Sequence, residues 1–239
     1  MKKLLGILML CSAFSVTAQN KAESTKPKKD YSKLDLSKRT SDHLLLQFGL
    51  AKWGNANDMN IRGYSKTFNA YFLFDFHFKS NPKLSTAIGT GIGTDNIFFN
   101  KTNVNITGGD GVTITADNNM RYSKSKLSSS YLEIPFEFRY STKPENMNKG
   151  WKFAVGAKVG LLIDSKVKTN LDATSGSEGG YTLKIKDKRF FNSTRFAGTA
   201  RVGMGNFSLF GTYTITSIFK EGLGPLVRPY SIGITLSGL

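Results

Sequence analysis

The 239-residue chain has one cysteine, two histidines and, beyond its first residues, no long apolar run. Each scarcity excludes something. Cys11 sits inside the apolar N-terminal stretch, and Met9-Leu10 before it are not the small residues that precede a lipidated cysteine. Loss of that stretch leaves a chain without a thiol, and so without disulfides or thiolate metal sites. His43 and His77 are too few and too far apart in sequence to form a metal-ligand cluster, and no metal or other cofactor is expected. Acidic residues are also scarce, with 17 Asp+Glu against 33 Lys+Arg and a formal charge of +16.

The N-terminus carries an export pattern. Met1-Lys2-Lys3 supplies a positive start, Leu4 to Val16 is apolar, and Val16-Thr17-Ala18 places small residues before a cut between Ala18 and Gln19. The apolar part is about 13 residues, too short to cross a hydrocarbon core of roughly 30 Å as a helix. Residues 1–18 therefore read as a signal peptide. Export argues against nucleic acid as the partner of the basic excess, which on charge alone would fit it. Residues 19–42 are polar and Lys-rich, the composition of a flexible segment.

From His43 onward, apolar and polar residues alternate with a period of two, the signature of strands with two unlike faces. The clearest stretch puts Phe68, Ala70, Phe72, Phe74, Phe76 and Phe78 on one face, and Asn69, Tyr71, Leu73, Asp75, His77 and Lys79 on the other. Seven further segments alternate, around 43–53, 84–99, 127–141, 151–167, 193–205, 207–219 and 228–238. Connections between the eight are alternately long and short. The long ones span about 54–65, 100–126, 168–191 and 220–227, and the short ones include Ser80-Asn81-Pro82 and Gly205-Asn206. Outer-membrane barrels have short periplasmic turns and longer outer loops.

The less apolar faces separate a membrane barrel from a soluble sandwich. A sandwich would clothe its outward faces in long solvated side chains throughout. Here several strands carry small residues instead, as in Ala87-Gly89-Gly91-Gly93 and Ser231-Gly233-Thr235-Ser237. Eight strands enclose a space only just wide enough for side chains, so small residues make room for large ones. The large ones are Asp75, Glu133, Glu137, Arg139, Lys152, Lys158, Arg195 and Arg201, a candidate lumen charge network that closes the interior by pairing. The predicted fold is all-β, an eight-stranded antiparallel transmembrane β-barrel over residues 43–239, in the outer membrane of a Gram-negative bacterium with the N-terminal segment in the periplasm. Outer-membrane lipid and lipopolysaccharide, with protein partners in the outer membrane or periplasm, are the expected company for its positive charge.

Secondary expectations follow. Trp53, Trp151, Tyr131, Tyr140, Phe219 and Tyr230 near strand ends suit interfacial aromatic girdles. Val104 and Ile106 facing Val112 and Ile114 predict a short hairpin in the second long loop, and Tyr181 to Lys186 a similar extension in the third. Pro135 cannot donate a ladder hydrogen bond, which predicts a bulge. Asp75 and His77 share a face but read as a structural pair at the periplasmic end, away from an outer-rim active site. Gly89-Thr90-Gly91-Ile92-Gly93 lacks the lysine and helix of a phosphate loop.

Ser130-Tyr131-Leu132-Glu133-Ile134-Pro135-Phe136-Glu137-Phe138-Arg139-Tyr140 resembles the "YLEIP" strand of PorT-like outer-membrane β-barrel proteins of Bacteroidota. Thr17-Ala18-Gln19 and the closing Ser231-Ile232-Gly233-Ile234-Thr235-Leu236 are similar to that group too, while Leu239 departs from the terminal aromatic common in such barrels. The resemblance implies a small outer-membrane barrel, in a group whose name-giving member is linked to protein export through the type IX secretion system. The function expected is non-enzymatic, structural or accessory, in protein secretion or surface assembly. A small pore, and an outer-membrane lipid-modifying enzyme or protease, are the alternatives.

Overall fold

The computed structural model describes residues 43–56, 59–63, 65–116, 122–145, 149–171 and 180–238. The signal peptide, its cleavage point at Ala18 and Gln19, the segment 19–42 and Leu239 lie outside the described residues. Eleven strands are present among them: β1 (Leu44–Gly54), β2 (Lys66–His77), β3 (Leu84–Asn100), β4 (Thr102–Asn105), β5 (Thr113–Ala116), β6 (Tyr122–Ser141), β7 (Trp151–Leu171), β8 (Tyr181–Lys186), β9 (Thr194–Met204), β10 (Phe207–Thr214) and β11 (Arg228–Ser237).

Eight of them close into a ring, in the order β6-β3-β2-β1-β11-β10-β9-β7 with β7 paired back to β6, all antiparallel. A closed ring satisfies every backbone group of a lipid-exposed sheet, which an open sandwich cannot do. Alternation does the rest. Phe76, Leu209 and Ile232 on the outer wall are 59%, 59% and 64% exposed, whereas Glu133 and Thr235 on the inner face are fully buried. Along the wall of the ring the apolar side of the strands faces away from the chain's own interior, so the medium around the wall must itself be apolar.

The eight ring strands fall where alternation places them, with local differences. β6 and β7 run to 20 and 21 residues, beyond the predicted 127–141 and 151–167. A strand needs about 9–11 residues to cross a bilayer, so both project well past the apolar belt, and β8 adds to the projecting part of β7. β10 stops at Thr214 rather than 219 because Ile218 and Phe219 leave the ladder for a buried cluster. The predicted hairpin is β4–β5, with Val104 opposite Ile114.

Two irregularities set side-chain direction. No bulge forms at Pro135: the β3–β6 ladder is interrupted between Ile88↔Phe136 and Gly91↔Glu133, and its register is unchanged across the gap. The missing N–H is absorbed as lost pairing opposite Gly89. The bulge lies in β7, where Tyr131 pairs with Leu162 but Ser130 pairs with Asp164, leaving Ile163 extra. One extra residue reverses the phase of a strand. Below it Lys152, Ala154 and Lys158 point inward, and above it Ser165, Val167 and Thr169 do.

Candidate functional site

The inner face is built from rows of directly opposed residues that alternate large and small. One row runs Tyr71, Gly91, Glu133, Gly160, Arg195 across β2, β3, β6, β7 and β9. Glycine is required by space. A Cβ at Gly93 would collide with the Glu133 carboxylate, and one at Gly91 would come within 2.6 Å of the Tyr71 ring.

Glu133 is the hub of an upper cluster. Its Oε1 accepts from Arg195 Nε at 3.0 Å and from Arg195 Nη2, and its Oε2 accepts from Lys158 Nζ at 3.1 Å and from the Tyr71 hydroxyl. Lys158 also donates to the Tyr71 hydroxyl at 2.9 Å. Arg195 Nη1 reaches Asp95, and its guanidinium lies 3.9 Å from the centre of the Tyr131 ring. A carboxylate with both oxygens engaged by cations offsets the large cost of burying charge.

A lower cluster sits nearer the short turns. Glu137 Oε2 accepts from Arg139 Nε at 2.8 Å and Arg201 Nη2 at 2.9 Å, Arg139 Nη1 lies 3.8 Å from Asp75, and His77 Nε2 lies 3.1 Å from Asp75. Asp75, Glu133, Glu137, Arg139, Lys158, Arg195 and Arg201 thus meet in two groups. Lys152 is buried on the same inner face, opposite Ser141 and Gly203. Asp95 and Tyr71 complete the upper group. Both had a legible signal in the sequence, since they continue the inward parity of their strands. A cavity between Asp95, Lys158, Arg195 and Thr214 holds about 10 Å³, room for about one water molecule and no larger ligand.

Above the charges lies a different core. Trp53, Ile97, Phe99, Val104, Ile106, Leu127, Val167, Phe191, Phe219 and Val227 form one buried cluster drawn from strand ends and long loops. Trp53 meets Phe99 and Phe219 edge to face, at 5.5 and 5.9 Å between ring centres. Asn192 fastens the loops by donating from Nδ2 to the carbonyls of Ser217 and Phe219, both at 2.9 Å. The hairpin joins through Val112 N–H to Leu223 O at 2.8 Å. Here the aromatic expectation is corrected. Tyr140, Trp151 and Tyr230 face outward, but Trp53 and Phe219 belong to this cap and Tyr131 to the lumen. Their inward parity outweighs their nearness to strand ends.

On the outer wall, Ala200 and Gly211 lie among Phe153, Val202, Leu209 and Ile232, leaving an apolar groove of about 700 Å³ that opens toward the surroundings. Among the described residues no group of three or more His, Cys, Asp or Glu could hold a metal ion.

A closed antiparallel ring with an apolar exterior and a charge-filled interior defines an integral membrane β-barrel. The chain belongs to the outer membrane protein beta-barrel domain family, whose family model matches residues 19–220. No curated protein matches the sequence at a significant level. Family and fold place the protein in the outer membrane.

Proposed function

We propose that this protein is a closed, non-enzymatic barrel that serves as a structural or accessory component of the outer membrane, in protein secretion or surface assembly. The observation that carries the reading is double closure among the described residues: the lumen is filled by paired charges, and parts of the long loops pack with strand ends into an apolar cap above them. Under the general topology of outer-membrane barrels the cap faces outward and both ends of the barrel chain face the periplasm. Residues 1–18 act as the export signal and 19–42 as the periplasmic segment. The resemblance of the Tyr131 to Pro135 strand to PorT-like proteins supports secretion as the process served.

Affinity purification after crosslinking in intact outer membranes tests the role. Recovery of one reproducible envelope protein at near-equal amounts, lost when the cap is disrupted by Phe219→Ala, supports it, and isolation of the barrel alone overturns it. Planar-bilayer recording addresses the pore alternative. The closed reading expects no stable unitary conductance from the intact protein.

A further inference from the structure

The Ile163 bulge has a second effect. By reversing the phase of β7 it turns Lys166 and Lys168 onto the outer face, beside Lys124 and Lys126 of β6 and Lys184 and Lys186 of β8. Register places Lys126, Lys168 and Lys184 in one row across the three strands, and Ser128, Lys166 and Lys186 in the next. Strands lie about 4.8 Å apart, and directly opposed like charges destabilise a sheet. Asp164 is the single carboxylate on this face among the described residues, and it takes Lys186 at 2.9 Å and Lys166 at 3.7 Å. Among the described residues no carboxylate lies within salt-bridge reach of Lys124, Lys126, Lys168 or Lys184. Burial, then Lys166 and Lys168, hold the Lys126 ammonium below the usual lysine range.

Lysines on an edge strand deter aggregation, which would account for β8. β6 and β7 are interior strands at this height, each paired on both sides, so edge protection does not explain theirs. Height is informative. On the same face, Lys166 stands three residues past Ile163 and the belt that continues through Leu161, Leu132 and Ile134, about 10 Å at the rise of a strand. With barrel strands tilted by about 40°, this is about 8 Å of height, level with the outer part of the polar headgroup layer that borders the hydrocarbon. A shallow cavity of about 250 Å³ between Lys124, Lys126, Lys168 and Arg62, floored by Phe98 and Phe99, supplies a recess beside the row.

We infer that the outer face of β6, β7 and β8 is a binding site for a phosphorylated glycolipid of the outer leaflet, its phosphates on the two lysine rows and its acyl chains against the apolar belt beneath. The assignment rests on the outward orientation of the long loops proposed above. The site would tie the capped end of the barrel to the lipid around it.

The test uses the full chain, purified in detergent and placed in phosphatidylcholine vesicles containing lipid A with its phosphates or the same lipid A after phosphatase treatment. The phosphorylated form should be retained through native mass spectrometry and the dephosphorylated form lost. Each lysine near an anionic surface is worth about a factor of five, so Lys126→Gln with Lys166→Gln and Lys168→Gln should weaken retention about a hundredfold. Lys79→Gln with Lys143→Gln, at the opposite end, should leave it unchanged. Heat-modifiable migration on gels shows that each variant is folded, and Lys168→Gln alone, expected to weaken retention about fivefold, provides a milder reading. Equal retention of both lipid forms, or a folded triple variant that retains the phosphorylated lipid fully, overturns the site. Displacement by inorganic phosphate at the lipid's own concentration also overturns it in favour of a general anion patch. Orientation is read separately, by labelling Lys184→Cys on whole cells with an impermeant maleimide. Lipid retention without labelling would overturn the outward orientation and, with it, the assignment to the outer leaflet, whereas labelling without lipid retention would overturn the phosphate site alone.

Discussion

The lumen and the cap solve the same problem, filling the inside of a small ring, with opposite chemistry. In the lumen, Glu133 and Glu137 are buried among arginines and a lysine, and specificity comes from pairing. In the cap, Trp53, Phe99, Phe191 and Phe219 pack by shape. The difference follows from where the apolar residues have gone. Within the belt they face lipid, so the inner face receives what remains, whereas beyond the belt the projecting strands no longer face lipid and can turn apolar residues inward. A barrel interior is polar because its exterior is not, and the cap shows the rule lapsing where the membrane ends.

The comparison can be broken from either side. Glu133→Gln leaves Arg195 and Lys158 buried without their shared carboxylate and should cost about 3–5 kcal/mol, read as an earlier urea midpoint for the whole barrel in detergent. Adding Lys158→Met to Glu133→Gln should recover part of that loss, because one of the stranded charges is gone. Phe219→Ala should cost a similar or slightly smaller amount, about 3 kcal/mol, but locally: hydrogen exchange should rise at Phe191, Asn192 and Ile218 while the lumen strands keep their protection. A uniform rise in both regions would show that cap and barrel unfold as one unit. Gly93→Ala sets a methyl against the Glu133 carboxylate and should cost about 1–3 kcal/mol, with the barrel midpoint shifted and the cap unaffected.

The smallest expected effect is pH-dependent. The hydrogen bond from Lys186 holds the Asp164 carboxyl below its ordinary range, so its contribution is present above the unfolded-state pKa and fades as pH falls through the lower folded value. Because Asp164 is partly exposed, the loss should stay below about 1 kcal/mol. It should appear as lower protection of β8 amides, relative to their intrinsic exchange rates, at acidic pH, and be absent in Asp164→Asn.

What was legible in the sequence depends on range. Period-two alternation reports which side of a strand a residue takes, and that sufficed for the ring and for the inward charges at Asp75, Glu133 and Arg195. It carries no information on height along the barrel, so Trp53, Tyr131 and Phe219 looked like interfacial residues when they are interior ones. Nor does it announce a one-residue bulge: extending the lower phase of β7 past Ile163 would have sent Lys166 and Lys168 inward. Pairing partners such as Arg195 and Asp95 come from strands far apart in the chain, and only ring closure decides which of them meet.

That closure has a cost in time. β1 is joined to β11 through pairs such as Leu45↔Ser237 and Gln47↔Thr235, so the seam unites segments from opposite ends of the barrel domain. Seven of the eight ring junctions form between ring strands that follow each other in the chain, but this last one waits for all the others. Contacts of such long sequence separation form slowly and late. Until the seam shuts, β1 and β11 present two bare edges to whatever surrounds them. An unfinished barrel is therefore open to pairing with another chain along these two strands until the seam forms.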